Sequence, residues 1–119
     1  MDRNNLIAVL TKEFALRIIK LHSYLQDERK EYILSKQILR SGTSIGANVR
    51  ESIYAQSRAD FINKMNIALK ESSETEYWLE LLHESNYIEE KAFESIYDDN
   101  CRISATLINI IKKTKDVDL

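Results

Sequence analysis

Apolar side chains recur along this chain at steps of three and four, the period that gathers them on one face of an α-helix. Ile7, Leu10, Phe14, Ile18, Leu21 and Leu25 form the first stripe and predict a helix from about Asn5 to Leu25. The charged run Gln26-Asp27-Glu28-Arg29-Lys30-Glu31 holds no apolar residue and predicts a short linker. A second helix is expected from near Ser35, whose hydroxyl can accept from an open first-turn amide, through Ile38, Ile45, Val49 and Ile53. The third opens on Ser57-Arg58-Ala59-Asp60, a capping box weakened by the short aspartate, and should close near Ser85-Asn86. Its stripe is the most regular: Phe61, Met65, Ala68, Ser72, Thr75, Leu79 and Leu82 step by four and three, the spacing that winds helices around each other. The fourth carries Phe93, Ile96, Asn100, Ile103, Leu107 and Ile110. Beyond it the tail from Lys112 to Leu119 places cations at the helix's negative end and then frays.

Two stripes are interrupted at their centres. In the second helix Ser41-Gly42-Thr43-Ser44-Ile45-Gly46-Ala47-Asn48 is small or polar where a bundle helix usually carries leucine. Each glycine costs about 1 kcal/mol against alanine in a helix interior, so either a neighbouring backbone packs closely here or the helix breaks. In the third, Ser72 and Thr75 interrupt the stripe. Tyr77, Trp78 and Leu81 lie off it, giving this helix more apolar surface than one seam can hide. Four helices with short links predict an all-α protein, a single domain over residues 1–119 folded as an antiparallel up-down-up-down four-helix bundle that packs with copies of itself.

Composition narrows this without redirecting it. There is no proline and there are only two glycines, so few turns or sheet corners can be built. Net charge is −2, which leaves no global basic field to attract nucleic acid; binding would need a local cluster such as Arg50, Arg58 and Lys64. A single cysteine cannot form an intrachain disulfide, and the start lacks the basic-then-apolar pattern of a secretory signal, so a reducing cytoplasm is expected. No apolar stretch approaches the roughly 18 residues of a membrane span, so no membrane contact is expected.

Three motifs could carry chemistry. Gly42-Thr43-Ser44-Ile45-Gly46 matches the glycine-x-serine-x-glycine pattern of a hydrolase nucleophile elbow, but no strand precedes it, and small residues packed between helices account for it. Glu80-Leu81-Leu82-His83 is a glutamate-x-x-histidine pair of the kind di-iron bundles use twice. His22 is preceded three residues earlier by Ile19, so the second half-site is missing and a surface pair near the helix end is expected. Cys101, on a core helix, reads as a small buried hydrophobe rather than a nucleophile. No catalytic residue, metal, cofactor or small-molecule substrate is therefore assigned. The polar centres of helices 2 and 3 are expected to meet instead, with Arg40 paired to Glu71 or Glu74, Asn48 closing hydrogen bonds, and the buried charge fixing helix register or subunit contacts.

The stretch from Ser35 to Ser52, SKQILRSGTSIGANVRES, resembles the signature of the four-helix-bundle proteins encoded in intervening sequences of bacterial 23S rRNA genes, also labelled the S23 ribosomal protein family. The likeness continues through Ser57, Asp60-Phe61, Ile67-Ala68-Leu69-Lys70-Glu71 and the run from Glu74 to Leu82. The resemblance implies a left-handed bundle that assembles into a ring, typically a homopentamer. Related accessory proteins of diversity-generating retroelements use basic ring surfaces to engage a reverse transcriptase and nucleic acid. It also marks Gln37, Arg40, Ser44, Asn48, Glu51 and Glu74 as the family's polar positions, chemistry that suits architecture. The function expected is thus a non-enzymatic oligomeric scaffold that binds RNA or a nucleic-acid-processing protein. The alternative is a protein-binding adaptor anchored by Tyr54, Tyr77 and Trp78.

Overall fold

The computed structural model describes residues 3–116 as four helices, α1 (Arg3–Asp27), α2 (Leu34–Ile53), α3 (Arg58–Glu84) and α4 (Glu90–Asp116), with no strand among the described residues. Each helix packs against its neighbours in sequence, and α4 closes against α1. Contacts in each pair run in opposite chain directions. Gly42 meets Ile18 and Gly46 meets Thr11; Arg40 reaches Glu74 and Lys64 reaches Glu51; Tyr97 reaches Glu80 and Asn100 reaches Ser72. Arg17 pairs with Asp99 across the closing seam, where Leu10 lies beside Ile103. The result is a rod 50 Å long and 23 × 22 Å across.

The stripes fill its interior: Phe14, Ile18, Ile45, Met65, Leu79 and Leu107 are buried, as are their neighbours on the same faces. Leu10 and Leu21 flank this core, and Thr11 takes the buried position between Ile7 and Phe14, its hydroxyl donating to the Ile7 carbonyl at 2.8 Å. The second helix does not break at its glycines. A Cβ on Gly42 would stand 2.7 Å from Ile18 Cγ1, and one on Gly46 would stand 3.3 Å from the Thr11 carbonyl oxygen, so the small residues admit α1 at close range.

Helix ends show where local pattern misleads. Helix α1 runs on through Gln26 and Asp27, and the true connection, residues 28–33, turns at Lys30 with φ 55°. Ser35 does not accept a first-turn amide. The Glu31 carboxylate does so, taking N–H bonds from Ile33, Leu34 and Ser35 at 3.3, 3.0 and 2.7 Å, while the Ser35 hydroxyl donates back to the Glu31 carbonyl. An acid at the positive end of a helix is favoured by the aligned peptide dipoles, which explains why a charged linker residue is buried. At α3 the Ser57 hydroxyl accepts from the Asp60 amide at 3.0 Å, and the short Asp60 side chain reaches the Gln56 amide instead of closing the box on Ser57. Asn86, at φ 66°, ends α3 with Tyr87 N–H bonded to the Leu82 carbonyl and Asn86 N–H to that of His83. Helix α4 stays helical through Asp116; the fraying expected at Val117, Asp118 and Leu119 falls, like Met1-Asp2, outside the described residues.

Candidate functional site

The interrupted stripes bring small polar groups together at mid-bundle. Ser72 and Thr75 on α3, Ser41 on α2 and Asn100 on α4 are all buried. Thr75 Oγ1 is 2.9 Å from Ser41 Oγ and 2.8 Å from the Glu71 carbonyl. On the other side of α3, Asn100 accepts from the Ser72 hydroxyl and donates to the Ser72 carbonyl, both at 2.9 Å, with Ser104 Oγ 2.8 Å from Ser72 Oγ. Among the described residues no buried side-chain nitrogen or oxygen lacks a partner. A saturated polar layer costs little to bury and penalises any slip in register, because a slip would orphan its members.

Outside this layer, Arg40 bridges α2 to α3, bonding Glu71 at 3.0 Å and Glu74 more closely. The pair is not the buried charge that the sequence suggested. The Arg40 side chain is 51% exposed, because its position rotates it out of the α2 stripe onto the rim of the α2–α3 seam. The Trp78 indole donates to Glu74 at 3.0 Å, and this bond, against the opposing effect of burial and then with the help of Arg40, holds the Glu74 carboxyl below its ordinary range. Asn48 does not cross the seam: its amide donates to the Ser44 carbonyl one turn back, and the Ser44 hydroxyl donates to the Arg40 carbonyl. Gln37 is exposed. Glu51 pairs with Lys64 at 3.5 Å.

The three cations suggested for nucleic acid are not gathered. Lys64 is neutralised by Glu51 on the α2–α3 side, Arg50 borders a groove on the α1–α2 side, and Arg58 opens α3. Nor do the aromatics form one patch. Tyr54, 78% exposed, follows the end of α2, and Tyr77 stands about 24 Å further along the bundle at 1.5 Å rise per residue. Trp78 lies at a tilt against Tyr77 and is partly buried against the core.

The motif residues are absorbed into the scaffold. Ser44 sits inside a continuous helix, far from the sharp turn a nucleophile elbow requires. Glu80 accepts from the Tyr97 hydroxyl, as Glu76 does, and burial followed by these carboxylates pushes the Tyr97 hydroxyl up. His83 stacks on Phe93 with ring centroids 4.0 Å apart and meets Glu90 at 2.7 Å. No cluster of three or more metal-ligating side chains occurs among the described residues. Cys101 is exposed, not buried: it follows Asn100 and so falls about 100° off the α4 stripe. Partial desolvation of its sulfur by the neighbouring helix, followed by the charges of Glu76, Asp98 and Glu80, pushes its thiol up, which lowers its reactivity. No helix is long and apolar enough to cross a membrane among the described residues.

A four-helix bundle with a saturated polar layer and an ion-paired rim is a class defined by architecture. Within that class the chain belongs to the 23S rRNA-intervening sequence protein family, whose model matches residues 3–109. Its fold is similar to the crystal structure of a protein of unknown function from the S23 ribosomal protein family of Bacteroides thetaiotaomicron, with 58% sequence identity and a TM-score of 0.92 over 93% of this chain and 99% of that one. No curated protein matches the chain.

Proposed function

We propose that the protein is a non-enzymatic scaffold that assembles with copies of itself into a ring, a pentamer, and offers that ring to RNA. The observation that carries the assembly is the apolar surface left over once the core is full: Leu16 (54% exposed) and Ile19 (45%) on α1, Tyr77 (54%) on α3 and Ile108 (49%) on α4. Single exposed apolar residues are ordinary. Here they stand on different sides of the bundle, which suits a head-to-tail contact that closes by rotation better than a single self-complementary patch.

The RNA component rests on repetition. Arg58 opens α3 once per chain but recurs around a ring, while Arg50 borders the α1–α2 groove and Lys64 is paired with Glu51. Retention of structured RNA by the purified assembly at low salt, falling steeply as salt rises, is the expected result. No retention at low salt removes RNA from the proposal. Tyr54, the most exposed large apolar residue among those described, and Tyr77 favour a second reading, a protein-binding adaptor. A protein partner that survives nuclease treatment in a pull-down supports it.

A further inference from the structure

The cyclic packing of the helices sets the α1–α2 and α3–α4 faces on opposite sides of the bundle, and the two differ in shape and in charge. On the α1–α2 face a shallow groove is floored by Ala8, Ala15, Gly46 and Ala47, with Lys12 and Arg50 on its rim and no carboxylate in its lining. Lys36 extends that row, since positions 36, 43, 47 and 50 share one helical face. Among the described residues none of Lys12, Lys36 and Arg50 has an ion-pair partner.

The opposite face is acidic at one end and apolar at the other. Glu76 and Glu80 of α3 and Asp98 of α4 surround Cys101, and their field is felt in the raised thiol there. Positions 91, 94, 98, 101, 105 and 108 lie on one face of α4, so Glu94 extends the acidic end with Lys91 beyond it, and Ile108 stands about 15 Å from Asp98 along the helix. Heights follow from the antiparallel contacts. Arg40 lies opposite Glu71 and Glu74, and Ser72 opposite Asn100 and Ser104. Lys36 is therefore level with Glu76, Glu80 and Asp98, and Ala47 is level with Ile108.

We infer that these faces are the two halves of one contact between copies of this chain. The α3–α4 face of one copy seats on the α1–α2 face of the next, with Ile108 in the small-residue groove and the Glu76–Glu80–Asp98 cluster against Lys36. Ile108 and its seat, and Lys36 and the acidic cluster, fall at matching heights, with Lys12 and Arg50 beside the apolar end, so the contact requires no slide along the bundle, the condition for a closed ring rather than a helical filament. This inference rests on the assembly proposed above and specifies its surfaces.

The test compares the solution mass of wild type with three variants, each checked for helical circular dichroism. Ala47→Trp fills the groove from an exposed position, and Lys36→Glu sets like charges together. Each is expected to raise the dissociation midpoint by roughly tenfold or more with the helix signal unchanged. Lys36→Glu combined with Asp98→Lys, which reverses both sides, is expected to recover assembly lost in Lys36→Glu alone. An assembled wild type whose mass is indifferent to all three changes overturns the assignment of faces and leaves assembly standing. A wild type that is a single chain overturns both. Variants that keep their mass but lose RNA retention make the groove a nucleic-acid surface and overturn the inference.

Discussion

Gly42 is where one missing methyl group governs how closely two helices approach. An alanine there would place its Cβ 2.7 and 2.9 Å from Ile18 Cγ1 and Cγ2, carbons of a stiff, fully buried β-branched side chain. Overpacking of this kind costs about 1–3 kcal/mol, against about 1 kcal/mol gained in helix propensity. Gly42→Ala is therefore expected to lower stability in urea denaturation by up to about 2 kcal/mol. Gly46→Ala, whose nearest contact is 3.3 Å, should be closer to neutral. Pairing Gly42→Ala with Ile18→Ala, which removes both γ carbons, should cost less than the sum of the two single changes, and strict additivity would contradict the packing argument. At this scale the sequence was informative about oddity and silent about partners. Gly42, Ser72, Thr75 and Asn100 are visible as interruptions in apolar stripes, but Ile18, Ser41 and Ser104, which meet them, come from other segments and leave no local trace. Cys101 departs from its expected burial, and the burial of Glu31 within its linker leaves no sign, for a related reason: composition classifies a residue as charged or apolar, whereas a helix end or a rotation of 100° decides its exposure.

Between elements, the Arg40 bridge ties α2 to α3 at the surface. With Arg40 half exposed and Glu74 about a third exposed, solvent screening keeps the pair's worth small, about 0.5–1 kcal/mol at neutral pH. Because the Glu74 carboxyl is held below its ordinary range, its contribution is fully present above the ordinary glutamate value and is lost as pH falls through the depressed one. A double-mutant cycle on Arg40 and Glu74 should therefore show favourable coupling at pH 7 that fades in acid and in high salt. Coupling unchanged by acid would mean that the contact is packing and not charge. The four elements were themselves legible, since long stripes at a helical period leave little choice. Their ends were not: α1 runs on to Asp27, the chain turns at Lys30, and the Glu31 carboxylate, not the expected serine, takes the first amides of α2, none of which periodicity encodes.

For the whole molecule, the same stripes that build the core explain the surface that remains. Helices wide enough to bury Phe14 and Leu79 inward also carry Leu16, Tyr77 and Ile108 outward, and opposite faces of the rod differ in charge. The polar positions Arg40, Ser44, Asn48, Glu51 and Glu74 could be picked out of the sequence as a group, yet the fold spreads them over helix-internal bonds and a seam, so they act as fasteners rather than as one site. What lies beyond a single chain is written only in surfaces, which no stripe along one helix reveals. The most direct measurement is the mass of the intact wild-type protein in solution, by native mass spectrometry and by light scattering over a concentration series. A ring of five chains gives a closed species near five times the 13.9 kDa chain, about 70 kDa. A 13.9 kDa particle at every concentration would contradict it.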